Sequence, residues 1–332
     1  MEKGSAYPNV RKFYVSLRTA EQVWYSAMQT TNIPPEVHNL RRHAMVFLAD
    51  ALKEGDMPIG EVDEACHAMF GVIENNQKQY EDFFDSIENS LSKNWPDEAS
   101  ACLVKGEAYI KKAWFARGNG YANTVTAERF KLFKEHLTAA EAALNHAWQL
   151  NPGDSRIPVK MLTVAMGQGQ GRDQMELWFG RAMKLDPNSY EACSAKLFYL
   201  EPKWYGSTAA MLAFGRECAT NQAWGGHIPL IILDAHKSIQ RQYVDGSQKN
   251  DYWKQPEVWS DLKPAFDRFF ELNPEAISWY HDYAWYAYRA GQWDTLNKII
   301  PKLGPINYPY FGGKDEFDKM VRLAKEHSGQ PK

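Results

Sequence analysis

Three short segments of the chain close in the same way: Leu150-Asn151-Pro152, Leu185-Asp186-Pro187 and Leu272-Asn273-Pro274. Each ends an amphipathic run rich in alanine and aromatic residues. Proline cannot continue a helical hydrogen-bond ladder, so each Asn/Asp-Pro pair marks a helix stop. The first two prolines are 35 residues apart (187 − 152). Counting back five, eight and twelve residues gives Ala147, Leu144 and Ala140 before Pro152, and Ala182, Phe179 and Met175 before Pro187. A small residue lets two helices approach, and the larger ones fill the space to the next pair. This punctuation constrains the chain to consecutive helical hairpins.

The rest of the chain agrees. Alternating Val/Ile/Thr runs with hairpin turns are nearly absent. Pro34-Pro35 opens a helix carrying Leu40, Ala44, Phe47, Leu48 and Leu52, and Asp56 and Pro58 break it. A helical stretch from about 61 to 91 reads as two helices, and Trp95-Pro96-Asp97 opens the next. Ala116-Arg117-Gly118-Asn119-Gly120 reads as a loop, because two close glycines destabilise a helix. Thr126 is placed to cap a helix reaching Leu150, and Asp154 or Ser155 starts another. Gly167 to Gly171 turns the chain, and 172–185 returns. Asn188 or Ser189 caps a helix ending near Leu200, and Ser207 caps one reaching Thr220. Gly225-Gly226 precedes a helix running to about Tyr243. The polar stretch from Asp245 to Gln255 reads as an exposed loop. Helices near 257–272, 276–290 and 293–300 follow, with a terminal helix near 314–326.

At 332 residues the chain can bury a large core, and solenoids grow without the usual domain limit. Net charge is only −3, which argues against a nucleic-acid binder needing a basic stripe. No run of 18 apolar residues occurs, so no membrane helix is expected. The N-terminus, Met1-Glu2-Lys3-Gly4-Ser5, lacks an apolar leader core. That leans towards the cytoplasm, although a chain whose leader had been removed would look the same. Cys66, Cys102, Cys193 and Cys218 form no C-x-x-C pair and read as buried free thiols. No cofactor is expected. Glu64-x-x-His67 is the single Glu-x-x-His on an expected helix, and a di-iron bundle needs two, so no metal is expected.

The residues around the prolines resemble the tetratricopeptide repeat, whose period is ~34 residues. The resemblance covers residues 126–187 and 274–302, where Tyr280, Tyr283, Ala284, Ala287, Gly291 and Trp293 continue the pattern. It weakens upstream of Pro274, where Leu262, Phe266 and Phe269 are larger than the pattern wants. The 87 residues between Pro187 and Pro274 (274 − 187) are not a whole number of periods. The blocks 113–120, 167–172 and 202–207 are also similar to those of a bacterial family of unknown function with tetratricopeptide-like helices. That resemblance implies the fold, supplies no activity, and suggests that the three loops act together.

Two of those glycine-rich turns carry an arginine, Arg117 and Arg172, and the third carries Lys203. Glycines let backbone N–H groups approach a ligand, and a helix N-terminus favours an anion. Arg117, Arg172, Lys203, Trp204 and Tyr205 are therefore the candidate ligand-binding residues. The plainer alternative is that the glycines make tight turns and the arginines pair with local acids such as Asp173 or Glu176. Between 252 and 293 the aromatics are dense. On the helix from Ala276, Trp279, Tyr283 and Tyr286 share one face, while Trp285 and Tyr288 share another. Such a helix either sits deep in a core or offers one face to a partner, and core packing is the leading reading. No G-x-S-x-G elbow or His-Glu-x-x-His occurs.

The sequence thus predicts an all-α, right-handed superhelix (α-solenoid) of antiparallel helix pairs. An irregular helical region, 1–110, precedes repeats over 111–305 and a capping helix and tail over 306–332. The expected role is a non-enzymatic binding or adaptor module for a peptide or protein partner. The alternative is an enzyme or small-anion-binding protein with a pocket between the N-terminal helices and the first repeats. A closed pocket with paired carboxylates or a His–acid contact would favour catalysis. An open groove lined by Arg, Asn, Trp and Tyr would favour binding.

Overall fold

The computed structural model describes residues 8–26, 34–73, 77–118, 120, 124–242 and 246–327. The expectations for Met1 to Ser5, Asn119, Tyr243 and Asp245 lie outside the described residues. All regular secondary structure among the described residues is helical, with no strand. The chain divides into two compact units, residues 1–181 and 182–332.

The first unit contains α1 (Pro8–Ser26), α2 (Pro35–Glu54), α3 (Ile59–Val72), α4 (Gln77–Asn94), α5 (Ala99–Arg117), α6 (Ala127–Leu150) and α7 (Arg156–Gln168). Its last helix, α8 (Arg172–Leu185), crosses the division between the units. Sequential helices pack on one another: α1 on α2, α5 on α6, α6 on α7. Helices α1 to α5 share one apolar core, built from Phe13, Leu48, Leu52, Met69, Phe84 and Val104 among others. Gly106 shows why α5 and α6 lie so close. A Cβ added there would sit 2.5 Å from Cγ of Leu144, inside any normal contact distance.

The second unit contains α9 (Tyr190–Tyr199), α10 (Thr208–Thr220), α11 (Ile231–Gln240), α12 (Gly246–Tyr252), α13 (Pro256–Leu272), α14 (Tyr280–Arg289), α15 (Trp293–Ile299) and α16 (Lys314–Glu326). Here α10 packs on α11, α14 on α15, and α15 on α16.

The proline-anchored pattern has a common structural meaning. The backbone N–H groups of Asn151, Asp186 and Asn273 donate to the carbonyls of Ala147, Ala182 and Phe269, each at 2.9 Å. These three residues, and those eight and twelve before each proline, are all buried. In the first two stops the Asn or Asp side chain then accepts an N–H two residues on, from Gly153 at 3.1 Å and Asn188 at 2.9 Å. That local turn diverts the chain.

The following helices also end alike in two cases. Gly169 (φ 68°) and Gly291 (φ 65°) each lie seventeen residues past a proline (169 − 152 and 291 − 274). In each, the glycine N–H donates to the carbonyl three residues back, and the next N–H donates to the carbonyl five back. This closure needs a left-handed residue, which glycine adopts without strain.

The expected caps are present. Thr126, Ser189 and Ser207 accept from the N–H groups of Arg129, Ala192 and Ala210. Several details differ from the sequence reading. Gly167 and Gln168, expected in a turn, end α7. The helix expected from Ala276 begins as a 3-10 turn before α14. Ala116 and Arg117 belong to α5, and the loop starts only at Gly118 (φ 72°), whose N–H still donates to Trp114. The polar stretch before Gln255 holds α12, and Tyr252 and Trp253 are buried rather than exposed. Packing of Trp253 on Tyr286, with ring centroids 4.7 Å apart, overrides the polar local composition. Helix α1 was not anticipated. All four cysteines are buried free thiols.

Candidate functional site

The sequence candidates lie in separate local settings. The Arg117 guanidinium donates to the carbonyls of Gly118 (3.0 Å) and Gly120 (3.2 Å) and lies over the Trp114 ring. Arg172, at the start of α8, pairs with Glu176 one turn on at 3.5 Å. In the second unit, Lys203 pairs with Glu201 at 2.6 Å and lies over Phe198. Trp204 packs edge-on against Phe198, and Tyr205 stacks on Tyr199 with 4.9 Å between centroids. Thus 203–205 form one turn in which the Lys203 ammonium and both aromatic rings have local partners, while the buried Trp204 Nε1 makes no hydrogen bond to the described residues. The turn itself depends on Gly206, where a Cβ would fall 2.1 Å from the Leu200 carbonyl oxygen.

A groove of about 790 Å³ opens in the second unit. Helix α14 forms one wall. Tyr283 and Tyr286 turn into the core, so Trp285, Tyr288 and Arg289, displaced round the helix by their spacing, line the groove. The Gly291 closure ends α14 and starts α15, bringing Trp293 to the groove. Helix α12 supplies Asn250, with Lys254 just beyond it, and α16 supplies Leu323. The sequence reading separated the Trp285 and Tyr288 face correctly, but its core assignment holds only for the Tyr283 and Tyr286 face.

Arg289 is the polar centre of this groove. It lies over the rings of Trp253 (5.3 Å) and Trp285 (5.9 Å), and its Nη2 donates to Asn250 Oδ1 at 2.9 Å. Desolvation lowers its pKa, and no described carboxylate lies within ion-pairing distance. Sequence reasoning did not single it out. The available signal was the four-residue spacing Trp285 to Arg289, which places both on one helix face.

Two polar networks, each built around a buried group, complete the picture. In the second unit, Arg216 forks onto Asp261 at 2.8 and 2.9 Å. Asp261 Oδ2 is 3.2 Å from His236 Nε2, and His236 Nδ1 is 2.7 Å from the Tyr252 hydroxyl. Burial lowers the His236 pKa against the opposing pull of Asp261. A neutral ring donating from Nε2 to Asp261 and accepting from Tyr252 satisfies both contacts. The order acid, imidazole, hydroxyl is that of a nucleophile relay. Yet His236 is 2% exposed and Tyr252 5%, so no substrate reaches the phenol. The relay instead orients Tyr252 beside Trp253.

In the first unit, the buried Glu107 of α5 receives Lys160 of α7 at 3.2 Å and faces His67 of α3 at 3.7 Å. Arg156 bridges Asp154 (2.6 Å) and Asp63 (2.7 Å) nearby in sequence and fold. Desolvation lowers the Lys111 pKa, with Glu107 opposing it. No group of three or more potential metal ligands occurs among the described residues, and no described helix is long and apolar enough to cross a membrane.

No family model matches the chain, and no curated protein matches it.

Proposed function

We propose that the protein is a non-enzymatic binding module that recognises a peptide segment of a protein partner through the groove of its second unit. One observation carries this reading. The groove is open, large enough for several side chains, and lined by Trp285, Tyr288, Trp293, Asn250 and Arg289. Such a set offers flat apolar rings with few polar groups to fix orientation, as recognition surfaces do. It contains no carboxylate pair and no His–acid contact. The tetratricopeptide-like superhelix over 111–305, flanked by 1–110 and 306–332, is the architecture we infer around it. It rests on the repeated stops and closures described above. Arg117, Arg172 and Lys203 already hold oxygen partners, so we place them as turn-stabilising residues with at most an auxiliary contact.

The test is selection of peptides displayed on phage against the wild-type chain, with counter-selection against Trp285→Ala/Trp293→Ala. Peptides retained by the wild type and lost by the double variant are expected. Peptides retained equally by both, but lost by Arg117→Ala/Arg172→Ala/Lys203→Ala, would move the site to the glycine-rich turns.

A second reading has its own observation. The cluster of Glu107, Lys160 and His67 lies between α3, α5 and α7, where the enzyme alternative places a pocket. Its charges are matched within the cluster, which favours a structural role. Turnover of any substrate abolished by Glu107→Gln in a folded protein would reverse that preference.

A further inference from the structure

The ligand chemistry at the groove follows from what Arg289 lacks. Its guanidinium has five N–H donors, and among the described residues only the bond to Asn250 is present. Two indoles flank it, so it is half-buried, yet no described carboxylate compensates it. Three other arginines meet an acid, Arg156 with Asp63 and Asp154, Arg216 with Asp261, and Arg268 with Glu271. Arg181, among the described residues, has only its two indoles, which close on each other and not on a groove. The groove lining holds a second cation, Lys254, and no Asp or Glu. Lys254 is exposed and paired with the exposed Asp251 at 2.8 Å, so its charge is largely matched and Arg289 is the main cation of the groove. The rings of Trp285, Tyr288 and Trp293 provide apolar area around the charge.

Resting on the groove reading, we propose that the partner segment carries an aspartate or glutamate beside an aromatic side chain. The carboxylate meets the Arg289 guanidinium, and the aromatic group packs among the groove rings. A carboxylate suits this site because it accepts two parallel N–H bonds from a guanidinium. The flanking rings hold that fork, so little freedom is lost on binding. Burial already depresses the Arg289 pKa, and an arriving anion relieves that unfavourable desolvation.

The test uses the full chain and three probes, followed by tryptophan fluorescence and calorimetry. The first is an end-blocked peptide of alternating aspartate and phenylalanine. The second is its twin with asparagine for aspartate. The third is free phenylacetate. The acidic peptide is expected to bind the wild type, to weaken with salt, and to lose ~10-fold or more in affinity in Arg289→Gln. Lys254→Gln, at an exposed position that cannot unfold the protein, should produce a smaller loss. The asparagine twin should bind weakly and equally to the wild type and Arg289→Gln.

Equal binding of both peptides to the wild type, abolished by Trp285→Ala/Trp293→Ala, would overturn the carboxylate inference while leaving the groove reading intact. Binding of the acidic peptide that survives the double tryptophan variant would remove both. Phenylacetate binding as tightly as the acidic peptide would overturn the peptide commitment in favour of a small carboxylate. No binding of the acidic peptide to the wild type would also overturn the inference.

Discussion

Each unit of the molecule places an arginine over two tryptophans, and the two arrangements differ in what surrounds them. In the first unit Arg181 lies 4.3 Å from the Trp178 ring and 5.3 Å from Trp148. Those indoles pack edge to face on each other, with centroids 5.8 Å apart at 88°. The cation and both rings close into one packed element. In the second unit the two indoles under Arg289 part company. Trp253 is buried against Tyr286, whereas Trp285 turns towards Tyr288 and lines the groove. A cation–π sandwich is therefore no evidence of a site by itself. Neither arginine has an acid partner among the described residues; what distinguishes Arg289 is one ring committed to the core and the other facing an open groove. Elsewhere in both units acids and bases are matched locally, as Glu107 with Lys160 and Arg156 with two aspartates show in the first and Arg216 with Asp261 in the second.

That contrast can be tested by removing charges from each side. The largest effect belongs to Glu107→Ala, which removes the buried carboxylate that the half-buried Lys160 and Lys111 face. Urea denaturation should show a loss of about 2 kcal/mol, less than for a fully buried pair because both lysines keep access to water. A loss below about 1 kcal/mol would mean that the first unit is not stabilised by charge matching.

Arg181→Gln and Arg289→Gln form the sharper pair. Arg181→Gln should reduce stability by about 1 kcal/mol, the scale of a partly desolvated cation–π contact, without altering peptide binding. Arg289→Gln should change stability by less than about 1 kcal/mol, because removing an uncompensated half-buried charge offsets the lost ring contact. Its effect should appear in affinity for the acidic peptide. If the two substitutions act alike in both assays, the distinction between a closed sandwich and an open one has no functional meaning.

The smallest effect concerns pH. His236 has an ordinary pKa of 6.5, lowered in the fold by burial. Below that value the unfolded chain binds a proton that the folded ring resists. Stability is thus retained above about 6.5 and lost as pH falls towards the lower folded value. Denaturation midpoints should fall between neutral and mildly acidic pH. The slope should be shallower in His236→Asn, with His136, also lowered by burial, supplying part of the remainder. An identical slope in the variant would show that His236 does not titrate differently in the two states.

Much of the helical framework was legible because its signals are local. Thr126, Ser189 and Ser207 cap helices within three residues of themselves, and the Asn/Asp-Pro stops act through bonds four residues long. Gly171 before α8 and Gly313 before α16 mark starts that the sequence reading placed correctly. Helix α12 was missed because its residues are polar, and its place is set by Trp253 packing on a helix 33 residues away (286 − 253). The groove was illegible for the same reason. Its lining comes from α12, α14, α15 and α16, and only the two-faced aromatic pattern of α14 could be read locally. The loop candidates followed a sound rule, that glycine beside arginine can hold an anion. The plainer alternative, that Arg172 pairs with a local acid such as Glu176, is what occurs there, and Lys203 meets Glu201 in the same way.

The most direct measurement is a titration of the acidic peptide into the full chain, followed by the indole N–H resonances of nitrogen-15-labelled protein. The account predicts that the signals of Trp285 and Trp293 shift together and saturate, while those of Trp148 and Trp178 stay in place. Saturable shifts at Trp114 or Trp204, with Trp285 and Trp293 unmoved, would contradict it and return the site to the glycine-rich turns.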